Sequence, residues 1–189
     1  MTSADEVRAA KSAMLAALTP HTGADWDVAA GTLDWSCRET AAHIAHDLIA
    51  YATQLTARAT DAYLPLDLTV RPEATPEQLL QITAGCADLL AVALRAAGPD
   101  ARAWHWGPAD PSGFAALGVN EILLHTYDIA AGLGLGWRPP APLCAAVLAR
   151  LFPEAPAGDP VEVLLWCTGR IALPDRPRLT SWVLRAAVG

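Results

Sequence analysis

Gly118-Val-Asn-Glu121-Ile-Leu-Leu-His125-Thr-Tyr-Asp128 sits inside an apolar stretch spanning residues 114–131, and its period decides the fold. At about 100° per residue, Glu121 and His125 lie about 40° apart around a helix, and Asp128 returns to within about 20° of Glu121. Three ionisable groups therefore share one helical face. Ile122, Leu123 and Leu124 fill the flanking directions, so much of the helix is expected to be buried, where a carboxylate beside an imidazole is costly without a partner. A metal cation is the sharpest candidate partner, and a satisfied ion pair is the plainer one.

Working outward, the helical period recurs on both sides of this stretch. Val7, Met14, Leu15 and Leu18 mark a helix over residues 5–18, ended by Thr19-Pro20. Ser36-Cys37-Arg38-Glu39 is a capping box that opens a second helix, expected to reach residue 59. Thr75-Pro76-Glu77 opens a third, with Leu79, Leu80, Ile82, Cys86, Leu89, Leu90 and Leu94 as its apolar stripe and Gly98-Pro99 as its end. The opening stretch belongs to the fourth. A fifth helix is expected over residues 142–152 and a short one over 161–168, while the pattern of residues 179–188 leaves their type open. Between helices, residues 60–74 form a long connection, and residues 101–113 form a loop rich in Trp, Pro and Gly, of the kind that covers a site. These elements predict an all-α chain: an antiparallel four-helix bundle over residues 1–137 with a small C-terminal helical annex over 138–189, together one domain.

A chain of 189 residues that is 53% hydrophobic can bury one substantial core. Its net charge of −7, with scattered basic residues, argues against nucleic acid or an anionic membrane as partner. No uninterrupted apolar run reaches the ~18 residues of a membrane helix. The N-terminus has no basic and apolar regions of the signal-peptide kind, so a cytoplasmic location is expected. Cys37, Cys86, Cys144 and Cys167 form no Cys-x-x-Cys pair and read as reduced core residues. Cys37 opens a helix whose dipole could lower its pKa, but no base is near it in sequence, and a nucleophilic role is disfavoured. Neither a Gly-x-Ser-x-Gly elbow nor a Gly-rich phosphate loop is present.

The second helix carries His43, His46 and Asp47 at i, i+3 and i+4, so they project from one side. Sites in helical bundles are built by side chains on facing helices. Either histidine could complete a set with Glu121 and His125, and three protein donors with one open position suit a catalytic zinc. His105, between two tryptophans, reads as a loop residue, and His21 as a surface one. Asp128 could orient a ligand from behind or pair with an arginine such as Arg170.

Two segments carry a family resemblance. Trp35-Ser36-Cys37-Arg38-Glu39-Thr40-Ala41-Ala42-His43-Ile44-Ala45 resembles the tryptophan, capped-helix and His-(Leu/Ile)-Ala signature of the DinB-like, mycothiol-dependent maleylpyruvate isomerase N-terminal domain family. Glu121-Ile-Leu-Leu-His125-Thr-Tyr-Asp128-Ile-Ala-Ala-Gly is similar to its second signature, Glu-x3-His-(Thr/Gly)-Trp-Asp-(Leu/Ile)-Ala-x-Gly. The resemblance implies a DinB-like four-helix bundle holding a divalent metal, usually zinc with nickel or iron as alternatives, on His43, Glu121 and His125. It thereby chooses His43 over His46. It also implies mycothiol as a thiol cofactor, activated for isomerisation or thiol transfer on a small-molecule substrate.

Three departures stand out: Tyr127 replaces the usual tryptophan, His46 is an additional histidine, and the isomerase's larger C-terminal domain does not follow. Maleylpyruvate is therefore not the expected substrate. The leading expectation is an enzyme of the mycothiol-dependent isomerase or S-transferase type, with His46 as acid or base and Asp128 supporting the catalytic site, in a monomer or homodimer. A metal-dependent hydrolase without a thiol and a non-catalytic metal-binding or sensor module are the alternatives.

Overall fold

Helix starts follow their cap residues. The computed structural model describes residues 3–188, and the first long helix, α1 (Ala4–Leu18), begins where the Ser3 N–H donates to Glu6 Oε2 at 2.7 Å. In α2 (Cys37–Ala57) the expected box forms: Ser36 N–H donates to Glu39 Oε2 at 2.8 Å, and Glu39 N–H donates to Ser36 Oγ at 3.2 Å. This helix stops two residues short of the expected end, at Arg58, which turns left-handed with φ 53°. Thr75 and Gln78 cap α3 (Pro76–Ala96) in the same reciprocal way. The fourth helix, α4 (Pro111–Gly132), starts three residues earlier than expected, because Asp110 accepts from Gly113 N–H at 2.7 Å and Pro111 takes the first helical position. Two shorter helices follow, α5 (Ala141–Leu151) and α6 (Pro160–Cys167), each within a residue of expectation.

The four long helices form the expected bundle, and side-chain pairs give their directions. Asp5 meets Arg95 and Lys11 meets Asp88, so α1 and α3 run oppositely. The Thr83 hydroxyl donates to the Ala41 carbonyl, and Leu48 and Leu90 close on Gly118 together, so α2 and α3 run in parallel. Cys37 reaches the Ile129 carbonyl and His43 reaches Glu121, which sets α4 against α2. Thus α1 and α4 point one way, α2 and α3 the other. Consecutive helices that run in parallel need a long crossover, and the connection over residues 58–75, between α2 and α3, supplies it.

The core is built of buried Val7, Met14, Leu18, Trp26, Ile44, Leu48, Leu90, Leu117 and Ile122, among others. Among the described residues, α3 alone is long and apolar enough to cross a membrane by length and composition. Within the bundle it packs on the other three long helices and bears the Lys11–Asp88 ion pair at 2.7 Å.

Residues 101–113, expected as plain loop, contain a short hairpin of β1 (Ala103–Trp104) and β2 (Pro108–Ala109). Trp106, at φ 57°, and Gly107, at φ 137°, make its turn. The final segment is not helical. Ala187 bridges to Ala109 and Val188 N–H donates to the Pro108 carbonyl at 2.8 Å, so the chain end lies along the hairpin edge.

Candidate metal centre

The α2–α4 contact sets the site. His43 comes from α2, and Glu121 and His125 come from successive turns of α4; one donor atom from each lies within 4.8 Å of the other two. Glu121 Oε2 is 3.2 Å from His125 Nε2 and 3.7 Å from His43 Nε2. Trp35 covers the cluster from outside, its ring centroid 4.7 Å from that of His43.

Asp128 contacts both His125 and Arg170. Its Oδ2 lies 3.0 Å from His125 Nδ1 and accepts from Arg170 Nη2 at 2.8 Å, while Arg170 Nε donates to Oδ1 at 3.3 Å. Burial opposes ionisation of Asp128, but hydrogen bonds from His125 and Arg170 outweigh it and hold the carboxyl below its usual range. An ionised carboxylate can only accept, so His125 Nδ1 carries a proton and Nε2 is the atom turned to the cluster. Burial likewise opposes charge on His125, yet hydrogen bonds to Asp128 and Glu121 raise it to about 9. Glu121, buried but hydrogen-bonded by His125 and His43, is held well below the carboxylate range. The cluster is therefore built around one positive charge, supplied by a proton on His125 or by a cation among the three donors. Two imidazoles and a carboxylate are a donor set that zinc and its neighbours accept, and these residues fit such an ion.

His46 stands outside the cluster. Its Nδ1 accepts from Leu68 N–H at 3.2 Å, and its Nε2 lies 3.9 Å from Asp47 Oδ1. Asp47, which the sequence placed only on the same helix face, enters the site: Oδ2 is 3.4 Å from His43 Nε2 and accepts from the Tyr51 hydroxyl at 3.3 Å. Burial first, and Glu121 second, push its carboxyl above the usual range. The i, i+4 spacing from His43 was the available signal, although an Asp beside a helical His ordinarily marks a solvated face.

A cavity of about 330 Å³ adjoins the cluster, with His46, Asp47, Tyr51 and His105 on its wall. A second, of about 250 Å³, is lined by Glu121, Tyr51, His105, Trp106 and the chain end at 182–184. His105, a loop residue in the stretch expected to cover a site, faces both. All four cysteines are free and buried. Burial pushes the Cys37 thiol up to about 11 despite its helix-start position, which removes it as a nucleophile.

The model of a family described as mycothiol maleylpyruvate isomerase N-terminal domain matches residues 7–130, from α1 into the end of α4 and across all three donors. No curated protein and no solved structure gives a match.

Proposed function

Because the chain belongs to the mycothiol maleylpyruvate isomerase N-terminal domain family, we propose that it is a metal-dependent enzyme that adds a low-molecular-weight thiol, mycothiol, to a small electrophile. The observation that carries this reading is the convergence of His43, Glu121 and His125, with the far nitrogen of His125 held by Asp128. These three residues would hold the ion, zinc by preference for such donors. When bound, a divalent cation lowers the pKa of a coordinated thiol and supplies a nucleophile at neutral pH.

The chain's own groups divide the remaining work. Asp128 keeps the His125 ring turned, and Arg170 keeps Asp128 in place. Addition of a thiol requires that its proton be taken up and returned to the electrophile. Asp47 and His46 would carry this proton transfer; in support, both line the larger cavity, and the Leu68 amide occupies Nδ1 of His46, which leaves Nε2 as its proton-bearing atom.

Elemental analysis of protein purified without added metal tests the site. His43→Ala and Glu121→Ala are each expected to lose the metal, and unchanged content in both would sink the assignment. Titrating mycothiol into cobalt-substituted protein should then produce a sulfur-to-metal charge-transfer band. A flat spectrum with turnover of esters would favour hydrolysis instead, and a flat spectrum without turnover a binding module.

A further inference from the structure

The larger cavity lies beside the donor cluster rather than within it, between α2, the connection after it and the hairpin turn. Six rings wall it: His46, Tyr51, Tyr63, His105, Trp106 and Phe114. His105 stands at their centre, with its centroid 5.8 Å from Tyr51, 5.9 Å from Tyr63 and 6.5 Å from Phe114, at interplanar angles of 67°, 88° and 86°. Edge-to-face contacts of this kind fix ring orientations, so the wall is preformed for a flat guest.

Charge narrows the guest further. Among the described residues, neither an arginine nor a lysine lines this cavity or its smaller neighbour. The one carboxylate on its wall, Asp47, is already engaged by the Tyr51 hydroxyl and by His43. It needs no cationic guest, and an anionic guest would shed its water against Asp47 with neither an arginine nor a lysine to pair with. Two imidazoles on the wall keep a ring nitrogen for a guest: His46, whose Nδ1 accepts from Leu68 N–H and whose Nε2 is left, and His105. His105 Nδ1 is buried with no hydrogen-bond partner, and a buried polar atom without a partner is uncommon. Burial holds this imidazole below its ordinary value, so it meets a guest in the neutral form.

We propose that this cavity is the electrophile subsite and that it selects uncharged aromatic molecules, hydrogen-bonded by the imidazoles of His46 and His105, with carboxylates rejected. A dicarboxylate such as maleylpyruvate fits it poorly. The role as electrophile subsite rests on the enzymatic reading above; the binding preference does not.

Calorimetric titration of the metal-free protein with benzamide, benzoate and benzylammonium tests the preference. Benzamide is expected to bind more tightly than either ion, and more tightly than benzoate by roughly tenfold or more, since the carboxylate must be desolvated unpaired. His105→Phe should weaken benzamide while leaving the ring wall filled. Leu66→Arg, a change at an exposed wall residue, should narrow or invert the benzamide–benzoate ratio. Benzoate binding as tightly as benzamide to the unmodified protein would overturn the proposal. So would benzylammonium binding tightest, which would make the cavity a cation cage, or the absence of saturable binding by any of the three. Because no metal is present in these titrations, a metal-free native protein would sink the enzymatic reading without touching this result.

Discussion

His125 and Asp128 show how a buried residue is defined by its partners rather than its type. Asp128 is 3% exposed in its side chain and Arg170 9%, so Asp128→Ala strands a guanidinium in the core. Breaking a buried pair in this way costs about 3–5 kcal/mol, readable as a lower urea midpoint. The same change frees the His125 ring and should weaken zinc binding by roughly 10–100-fold. Proton linkage gives a second expectation. His125 gains protons on folding, so in the metal-free protein its stabilisation is complete below the unfolded value of 6.5 and is lost as pH rises through about 9. A metal taking Nε2 must displace that proton. Zinc uptake should therefore release about one proton and tighten with rising pH up to about 9, countable by calorimetry in buffers of different ionisation enthalpy. Affinity that stays level across that range would remove His125 from the donor set. Glu121, His125 and Asp128 were legible from the 3.6-residue period alone, and His43 from the resemblance. Asp47 was not, because its depth depends on how closely α4 approaches α2, and the sequence of α2 does not encode that distance.

Helix boundaries were legible wherever the cap was local. Ser36 with Glu39 and Thr75 with Pro76 announce α2 and α3 within four residues, and Ser36→Ala is expected to cost about 1 kcal/mol. Asp110-Pro111 makes the same announcement for α4, but Gly113 reads as a loop residue and obscures it. The reason for Gly113 is tertiary: a Cβ there would lie 2.7 Å from the Arg150 guanidinium and 2.8 Å from the Ala186 carbonyl. Two further glycines mark where α4 touches its neighbours, and they should differ in their tolerance. A Cβ at Gly118 meets the ends of the Leu90 and Leu48 side chains, which can shift. At Gly132 it collides with the Ala29 carbonyl and presses on Cys37 Sγ, and backbone yields less readily than a leucine tip. Overpacking costs typically about 1–3 kcal/mol. Gly118→Ala should fall at the low end and Gly132→Ala at or above the high end, measured by denaturant unfolding. Equal costs would mean that the loop at residues 29–30 moves freely.

On the scale of the whole molecule, the segment after α4 is tied to the site at two points that no local pattern reveals. Arg170, just past α6, reaches back 42 positions to Asp128. Arg150, on α5, donates to Asp110 at the start of α4 and to the carbonyls of Arg185 and Ala186, and so anchors the chain end along the smaller cavity. Ion pairs at such separations leave no period in the sequence, which is why Arg170 could be named only as one arginine able to meet Asp128, and the Arg150 tie not at all. The two arginines should separate in their effects. Arg150→Ala releases residues 182–188, so the amides of Arg185 and Val188, which donate to the Leu151 and Pro108 carbonyls, should exchange with deuterium faster. The donor cluster is untouched by this change, and metal content should be kept. Arg170→Ala leaves Asp128 buried without its cation, costs about 3–5 kcal/mol, and loosens the hold on His125, so metal should be lost more readily to a chelator. If Arg150→Ala sheds metal as fast as Arg170→Ala does, the chain end itself shields the donors, and the annex supports the site through its cavity wall rather than through the Asp128 pair.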